Sequence, residues 1–478
     1  MHRSADSQTH TCPFPATSNF TSEEVTIDGD TSPAVGGDHS LGCRSPASNT
    51  KDHEHAFEGD SSVRAHAAFA GSFAKQTIDR SALGEAGPRV HDALSALHQI
   101  LTMHRPGKDR NFINDGKPSS QDLRCLGMPP LDAALQLLRE LKHQLPPTFE
   151  LICAVTSIEF FTDQCRQVYF ATEQFSTSTF IIVNVALYFI FQGKLIEANK
   201  SGDEGTKATL RDYCNICQRN IEATLHIMSF ILPARKENVI ALVLGASYAV
   251  QASDPSLAWM LNSTACQLCI SLGYQRNSLL PGEDDVAKNS RATLFWIAYI
   301  LDRALALRLG RPAVLQDYEI TLNRTLQHLG EFEIYRETIQ CWLAQAEVQG
   351  RIYEELYSPA ALKSPVEHRE QSARRCANIL LAERAKLKNR MQRIGQTSTH
   401  ANTEVELALL RFDELSNLST LTLVYRALPP ESSGDVPHGS GILASECIKI
   451  ARKAIHAHLK HVCSLGTNTD VLATYMHW

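Results

Sequence analysis

Leu131, Leu135, Leu138, Leu141 and Leu145 recur at steps of three and four residues. That spacing places them on one face of a helix, and Pro146-Pro147 ends it. The same period predicts further helices over 151–170, 175–198, 210–232, 235–251, 254–272, 286–309, 331–357, 365–394, 404–428 and 442–463. Their ends carry the expected punctuation. Asp254-Pro255 reads as an N-cap followed by proline in the first turn, Gly273 follows the last periodic residue of that helix, and Gly310 then Pro312 close another. Few runs alternate with the period of two that strands require. The pattern predicts an all-α fold: one large multi-helix domain over residues 126–478, long enough to bury a substantial core.

Residues 1–125 read differently. Asp, Ser, His, Gly and Thr dominate, and apolar residues occur singly apart from a short helical pattern over 91–103. Such a stretch buries too little apolar surface to offset its ordering entropy, so a disordered low-complexity arm is expected.

Composition narrows the class. Apolar residues make up 43% of the chain but aromatics only 7%, which argues against an all-β protein. The 46 basic and 52 acidic side chains leave a net charge of −6, so the chain has no overall basic field for non-specific nucleic-acid binding. Thirteen cysteines, an odd number, suit reduced thiols better than a disulfide framework. No apolar segment follows Met1, so no secretory signal is readable. The longest uncharged stretch, 174–193, has its strongly apolar part only over 180–191. This is short of the roughly 20 residues that cross a bilayer, so a buried core helix is expected and no membrane partner.

The most distinctive stretch runs from Glu237 to Ile320. Leu294, Phe295, Trp296, Ile297, Tyr299, Ile300, Leu301, Ala304, Leu305 and Leu307 make its second helix apolar nearly all round, which belongs inside a large domain. Asp302 and Arg303 lie in the middle of it. Adjacent residues on a helix do not face each other, so each of these charges needs a tertiary partner. Arg276, Arg291 and Arg311 are the candidate partners for Asp302, in a structural polar network reaching the Gly310-Arg311-Pro312 turn.

These residues closely resemble the fungal-specific transcription factor domain, the middle homology region of the fungal zinc-cluster regulators. The family pattern is matched by Leu272, Gly273, Tyr274 and Arg276, then by Arg291, Phe295, Trp296, Tyr299, Asp302 and Arg303, and finally by Gly310, Arg311, Pro312, Asp317 and Ile320. Gln275 stands where the family commonly has His, and Ala292-Thr293 replace further arginines. The resemblance is strongest over 145–345. It implies a nuclear regulator of transcription, not an enzyme, whose helical domain responds to a small-molecule effector or a partner, with a homodimer as one candidate assembly. It gives the matched residues a scaffold role. The alternative is a helical ligand-binding or adaptor protein derived from such regulators, with no promoter role.

Family members usually carry a six-cysteine binuclear zinc cluster ahead of this domain. This sequence offers only Cys12, Cys43 and Cys125 there, none in a Cys-x2-Cys pair. Promoter DNA is therefore expected to be reached indirectly, through a DNA-binding transcription factor partner or a missing N-terminal exon.

Other clusters have plainer readings. Cys214/Cys217 and Cys266/Cys269 are Cys-x2-Cys pairs, but their separation far exceeds the roughly 15–20 residues of a zinc ribbon, so they are read as small core residues. His456, His458, His461 and Cys463 lie on the last helix; Ile448, Ala451, Ile455, Leu459 and Val462 are read as its buried face, leaving the histidines in solvent. Arg384, Lys386, Lys388, Arg390 and Arg393, after Arg374 and Arg375, make the one dense basic run. It reads as a solvated helix face, with nuclear import or phosphate contact as its functional alternative. No nucleotide-binding, nucleophile-elbow or metalloprotease motif is present, so no catalytic residue, metal ligand or cofactor is expected.

Overall fold

The computed structural model describes residues 57–80, 123–141, 156–172, 174–201, 203–229, 231–278, 283–324, 333–397, 403–428 and 444–465. Cys12, Cys43, the 91–103 helix and Pro146-Pro147 lie outside them.

Helix starts follow the short polar side chains. Ser157 accepts the Phe160 N–H at 3.1 Å, opening a helix over Ile158–Tyr169. Asp203 accepts from Thr206, Asp254 from Leu257 with Pro255 next in line, and Asp284 from Ala287. Each satisfies an N–H that the first turn leaves without an intrahelical acceptor.

The described residues form thirteen helices and no strand. In chain order they are α1 (Val63–Arg80), α2 (Leu131–Glu140), α3 (Ile158–Tyr169), α4 (Thr177–Ser201), α5 (Glu204–Ile227), α6 (Lys236–Gln251), α7 (Pro255–Ser271), α8 (Asp285–Leu309), α9 (Glu333–Ile352), α10 (Pro359–Leu362), α11 (Val366–Thr397), α12 (Thr403–Arg426) and α13 (Ser445–Leu465). Each predicted helix from 131 onward is present, with ends shifted by a few residues. The all-α expectation holds. The 331–357 segment is divided: α9 stops at Ile352 and Tyr353–Tyr357 continue as one wide π turn.

Neighbours in sequence pack as neighbours in space, α4 on α5 and α6, α6 on α7, α7 on α8, α8 on α9, then α11, α12 and α13 in succession. Two large apolar cores result, beside a third, small cluster of Ala249, Val250, Ala258 and Leu305. The larger gathers residues of α2 to α9; the smaller joins Leu307 of α8 to Ile352, Leu356, Leu380, Leu418, Leu421 and Ile450. Helix α8 contributes to both.

Helix α4 is long and apolar enough to cross a membrane, and most of that stretch is buried inside the protein. Its central polar residue, Asn184, is fully enclosed. Asn184 donates to the Phe180 carbonyl at 2.9 Å and accepts from Asn220 of α5 at 2.9 Å, so the amide is satisfied where an unpaired one would be costly.

Two expectations need correction. Within 1–125, residues 57–62 are a segment docked on the helical domain and Val63–Arg80 are helical. Low apolar content does not forbid this, because the docking is made by backbone hydrogen bonds. On α13 the buried face is Cys447, Ile450, Ala454, Ala457 and His461, whereas Ile455 and Leu459 are 60% and 54% exposed. His461 is thus enclosed against Glu414 of α12, its Nε2 3.6 Å from the carboxylate, and not in solvent.

Candidate functional site

The sequence-matched residues converge around α8. Arg291, in its second turn, is almost fully buried and grips Glu283 with two charge-assisted bonds of 2.6 and 2.9 Å. The remaining guanidinium protons go to the carbonyls of Tyr274, Arg276 and Ser278. One planar fork therefore staples the turn after α7, where Gly273 has φ +73°, to the start of α8.

One turn onward, the Trp296 indole donates to the Asn323 carbonyl at 3.0 Å, and the Tyr299 hydroxyl donates to Asp317 at 2.8 Å. Phe295, Trp296 and Tyr299 are all fully buried, with edge-on ring contacts between successive pairs. Burial and the neighbouring Asp317 carboxylate push the Tyr299 hydroxyl well above its ordinary pKa, so it remains a donor.

Asp302 and Arg303 each have tertiary partners, as two adjacent buried charges require. Asp302 does not pair with Arg276, Arg291 or Arg311. It accepts the backbone N–H groups of Val314 and Leu315 at 3.1 and 2.9 Å. The expected arginines are committed elsewhere: Arg276 to Glu319, Arg291 to Glu283, and Arg311 to the Phe57 carbonyl while stacked 4.7 Å over Trp259. A carboxylate between two peptide N–H donors is the same device as a helix N-cap, used to hold a loop. Burial raises the Asp302 pKa against these two bonds.

Arg303 is 1% exposed. It donates to the Leu315 carbonyl at 2.9 Å and to Glu354 at 3.2 Å, lies 3.3 Å from Asp317, and stacks 5.0 Å from the Tyr299 ring centre. Glu354 belongs to the π turn after α9, so the extra residue of that turn swings a carboxylate onto α8. Gly350 makes the approach possible: a Cβ there would stand 2.8 Å from an Arg303 nitrogen. Arg324 completes the network by pairing with Asp317 and Glu347.

The turn that ends α8 has Gly310 at φ +66°, a left-handed cap that favours glycine. Gly273, Arg276, Arg291, Phe295, Trp296, Tyr299, Asp302, Arg303, Gly310, Arg311, Pro312 and Asp317 are thus brought to one helix and the two loops clamped on it. Glu283, Glu354 and Glu347, which complete the ion pairs, were not singled out from sequence; a lone glutamate at a loop or helix end gives no periodic signal.

A second polar cluster lies between α9, α11, α12 and α13. Asp413 accepts the Trp342 indole N–H at 2.7 Å, and burial pushes its carboxyl up to about 7. Around it, Arg384 pairs with Glu414 at 2.8 Å, and the Glu337 carboxylate lies 3.6 Å from Arg390 and 3.7 Å from Arg393. The basic run therefore divides: Arg390 is buried, Lys386 is paired with Glu383 of its own helix, and Lys388 and Arg393 face outward.

Cys214, Cys217, Cys266 and Cys269 are all buried among apolar neighbours, and burial raises the thiols of Cys217, Cys266 and Cys269. They are core residues. Among the described residues no three His, Cys, Asp or Glu side chains converge as metal ligands.

The model of the fungal specific transcription factor domain matches residues 196–420. An uncharacterized transcriptional regulatory protein of Schizosaccharomyces pombe is 28% identical over 147 residues, 29% of this chain and 22% of that protein. An ABC-transporter-regulating transcription factor of Aspergillus oryzae is 27% identical over 138 residues, covering 26% of this chain and 15% of the relative. The Fusaridione A cluster transcription factor of Fusarium heterosporum is 30% identical over 131 residues, 26% of this chain and 25% of that protein. These matches span only 15–25% of those relatives' own lengths. No solved structure matches significantly. Over residues 196–420 this chain is similar to the fungal specific transcription factor domain.

Proposed function

We propose that this chain is a nuclear regulator of transcription and not an enzyme, with the α8 network as the rigid centre of its regulatory domain. The observation that carries the reading is the domain at 196–420, shared with relatives whose names are those of transcriptional regulators. The site chemistry agrees with it. The charged side chains on α8 are spent on holding loops in place, and the buried thiols are poor nucleophiles.

Promoters are reached through a DNA-binding transcription factor partner or through a DNA-binding module encoded in a missing N-terminal exon. The longest basic helix, α11, has several of its charges neutralised by Glu337, Glu370, Glu383 and Glu414, which suits helix packing better than a phosphate-binding face. The effector is a small molecule or a partner protein that acts on the helical domain.

Chromatin immunoprecipitation of the tagged full-length protein from its host, with sequencing, tests the reading. Enrichment at a defined promoter set and nuclear fluorescence are expected. Cytosolic fluorescence with no enriched promoter overturns it.

A further inference from the structure

The end of α8 does more than stop a helix. We infer that it is a peptide-docking site, and that its occupant is the chain's own segment 57–62, held as a displaceable strap. Three backbone groups of the segment are read. The Gly59 N–H donates to the Leu309 carbonyl at 3.0 Å, Arg311 donates to the Phe57 carbonyl at 2.9 Å, and Arg426 of α12 donates to the Asp60 carbonyl at 2.6 Å. The Ser61 hydroxyl adds a bond of 2.9 Å to the Leu307 carbonyl. Last-turn carbonyls of a helix lack intrahelical donors, so α8 offers acceptors that a passing chain can use.

The site also selects glycine. A Cβ on Gly59 would overlap the Gly310 carbonyl oxygen, and one on Gly310 would lie 2.5 Å from the Gly59 backbone. The two glycines meet backbone to backbone, where no flexible side chain can yield. Beyond the strap, Ser62 caps α1, and Arg426 lies 5.3 Å from the Phe69 ring and 5.4 Å from the Tyr357 ring. Its guanidinium also donates to Nδ1 of His66.

Displaceability follows from what the strap does not bury. Phe57 and Val63 are 72% and 58% exposed, and the enclosed side chains are the small Ser61 and Ser62. Withdrawing the segment uncovers little apolar surface, while its hydrogen bonds are exchanged for bonds to water. Recognition through backbone groups and one obligatory glycine gives specificity without a large hydrophobic anchor. The two cores beneath are built without strap residues.

The test uses the full chain, wild type and Gly59→Ala, with a fluorescein-labelled synthetic peptide spanning residues 55–70. In the wild type, amide hydrogen exchange over 59–69 should be at least tenfold slower than in the free peptide. Gly59→Ala should abolish that protection and leave α6 and α7 unchanged. The peptide should bind Gly59→Ala at least tenfold more tightly than wild type, whose site is filled, and a peptide carrying the same substitution should not bind. Ser61→Ala, which adds no atoms, should give a smaller loss of protection and serves if Gly59→Ala fails to fold. Three results would overturn the inference: wild-type exchange over 59–69 as fast as in the free peptide, binding indifferent to the peptide's glycine, or protection that appears only with dimer formation. The last would give the site to a second copy.

Discussion

Asp413→Asn should change how stability depends on pH. The carboxyl is buried, has Trp342 as its hydrogen-bond donor, and titrates near 7. In the unfolded chain it titrates near 4, so between those values the native state holds a proton that the unfolded state has lost. Stability contributed by this group therefore falls as pH rises from about 4 to about 7, and levels off above. Between pH 6 and 8 the unfolded carboxyl is ionised throughout, while the native one goes from about one-tenth to about nine-tenths ionised. The difference corresponds to about one unit of log K, or about 1.4 kcal/mol. In a domain of this size that is a fall in Tm of about 2 °C. Asn keeps an acceptor for the indole and carries no charge. Urea unfolding of both proteins at pH 6 and 8 isolates the effect, because the other titrating groups are common to both. The wild type should lose about 1.4 kcal/mol more than the variant over this interval. Parallel curves for the two proteins would refute the assignment of a neutral-range carboxyl to Asp413.

Three further outcomes are expected. Arg303→Met should cost about 2–3 kcal/mol in urea unfolding, because the Leu315 carbonyl and Glu354 lose their donor; a loss under about 0.5 kcal/mol would show that the network is ornamental. With a maleimide probe on the native protein, exposed Cys125 should be modified while Cys214, Cys217, Cys266 and Cys269 stay protected until urea is added; rapid native labelling of either pair would contradict their core placement. Lowering the pH should weaken the strap. Burial and Arg426 hold His66 down at about 4, so the undocked histidine takes up a proton between pH 6.5 and 4 that the docked one refuses. Docking should be roughly twentyfold weaker at pH 5 than at pH 7, and His66→Gln should flatten the dependence; exchange protection over 59–69, corrected for intrinsic rates, reads this out.

The helices were legible because their apolar faces repeat with the period of the backbone, and because Asp254-Pro255, Gly273 and Gly310 mark ends by local geometry. The polar network was legible only in need, not in connection. Asp302 and Arg303 on an all-apolar helix announce that partners must exist, but three arginines nearby in sequence were plausible and the backbone of 314–315 was chosen. Peptide N–H groups are the same at every residue and leave no mark in the sequence. The same invisibility hid the strap, whose contacts run through Phe57, Gly59 and Asp60 backbone atoms. On α13 the sequence pattern misleads for another cause. Ile448, Ile455 and Leu459 form one stripe and Cys447, Ile450, Ala454 and Ala457 a second, and the smaller residues allow the closer approach that packing uses. Asp413 gave no signal, since one acid on a long helix is ordinarily solvated.

The position of α4 bears on what can be inherited as a unit. The stretch recognisable across the family starts at residue 196, inside α4, and ends at 420, inside α12. Yet Phe180, Ile181, Ile182, Val183, Leu187 and Ile190, all upstream of that start, are enclosed in the larger core. A fragment cut at the limits of resemblance would lose those side chains and open α5 and α6 to water. Kinship in sequence and autonomy in folding therefore have different borders here.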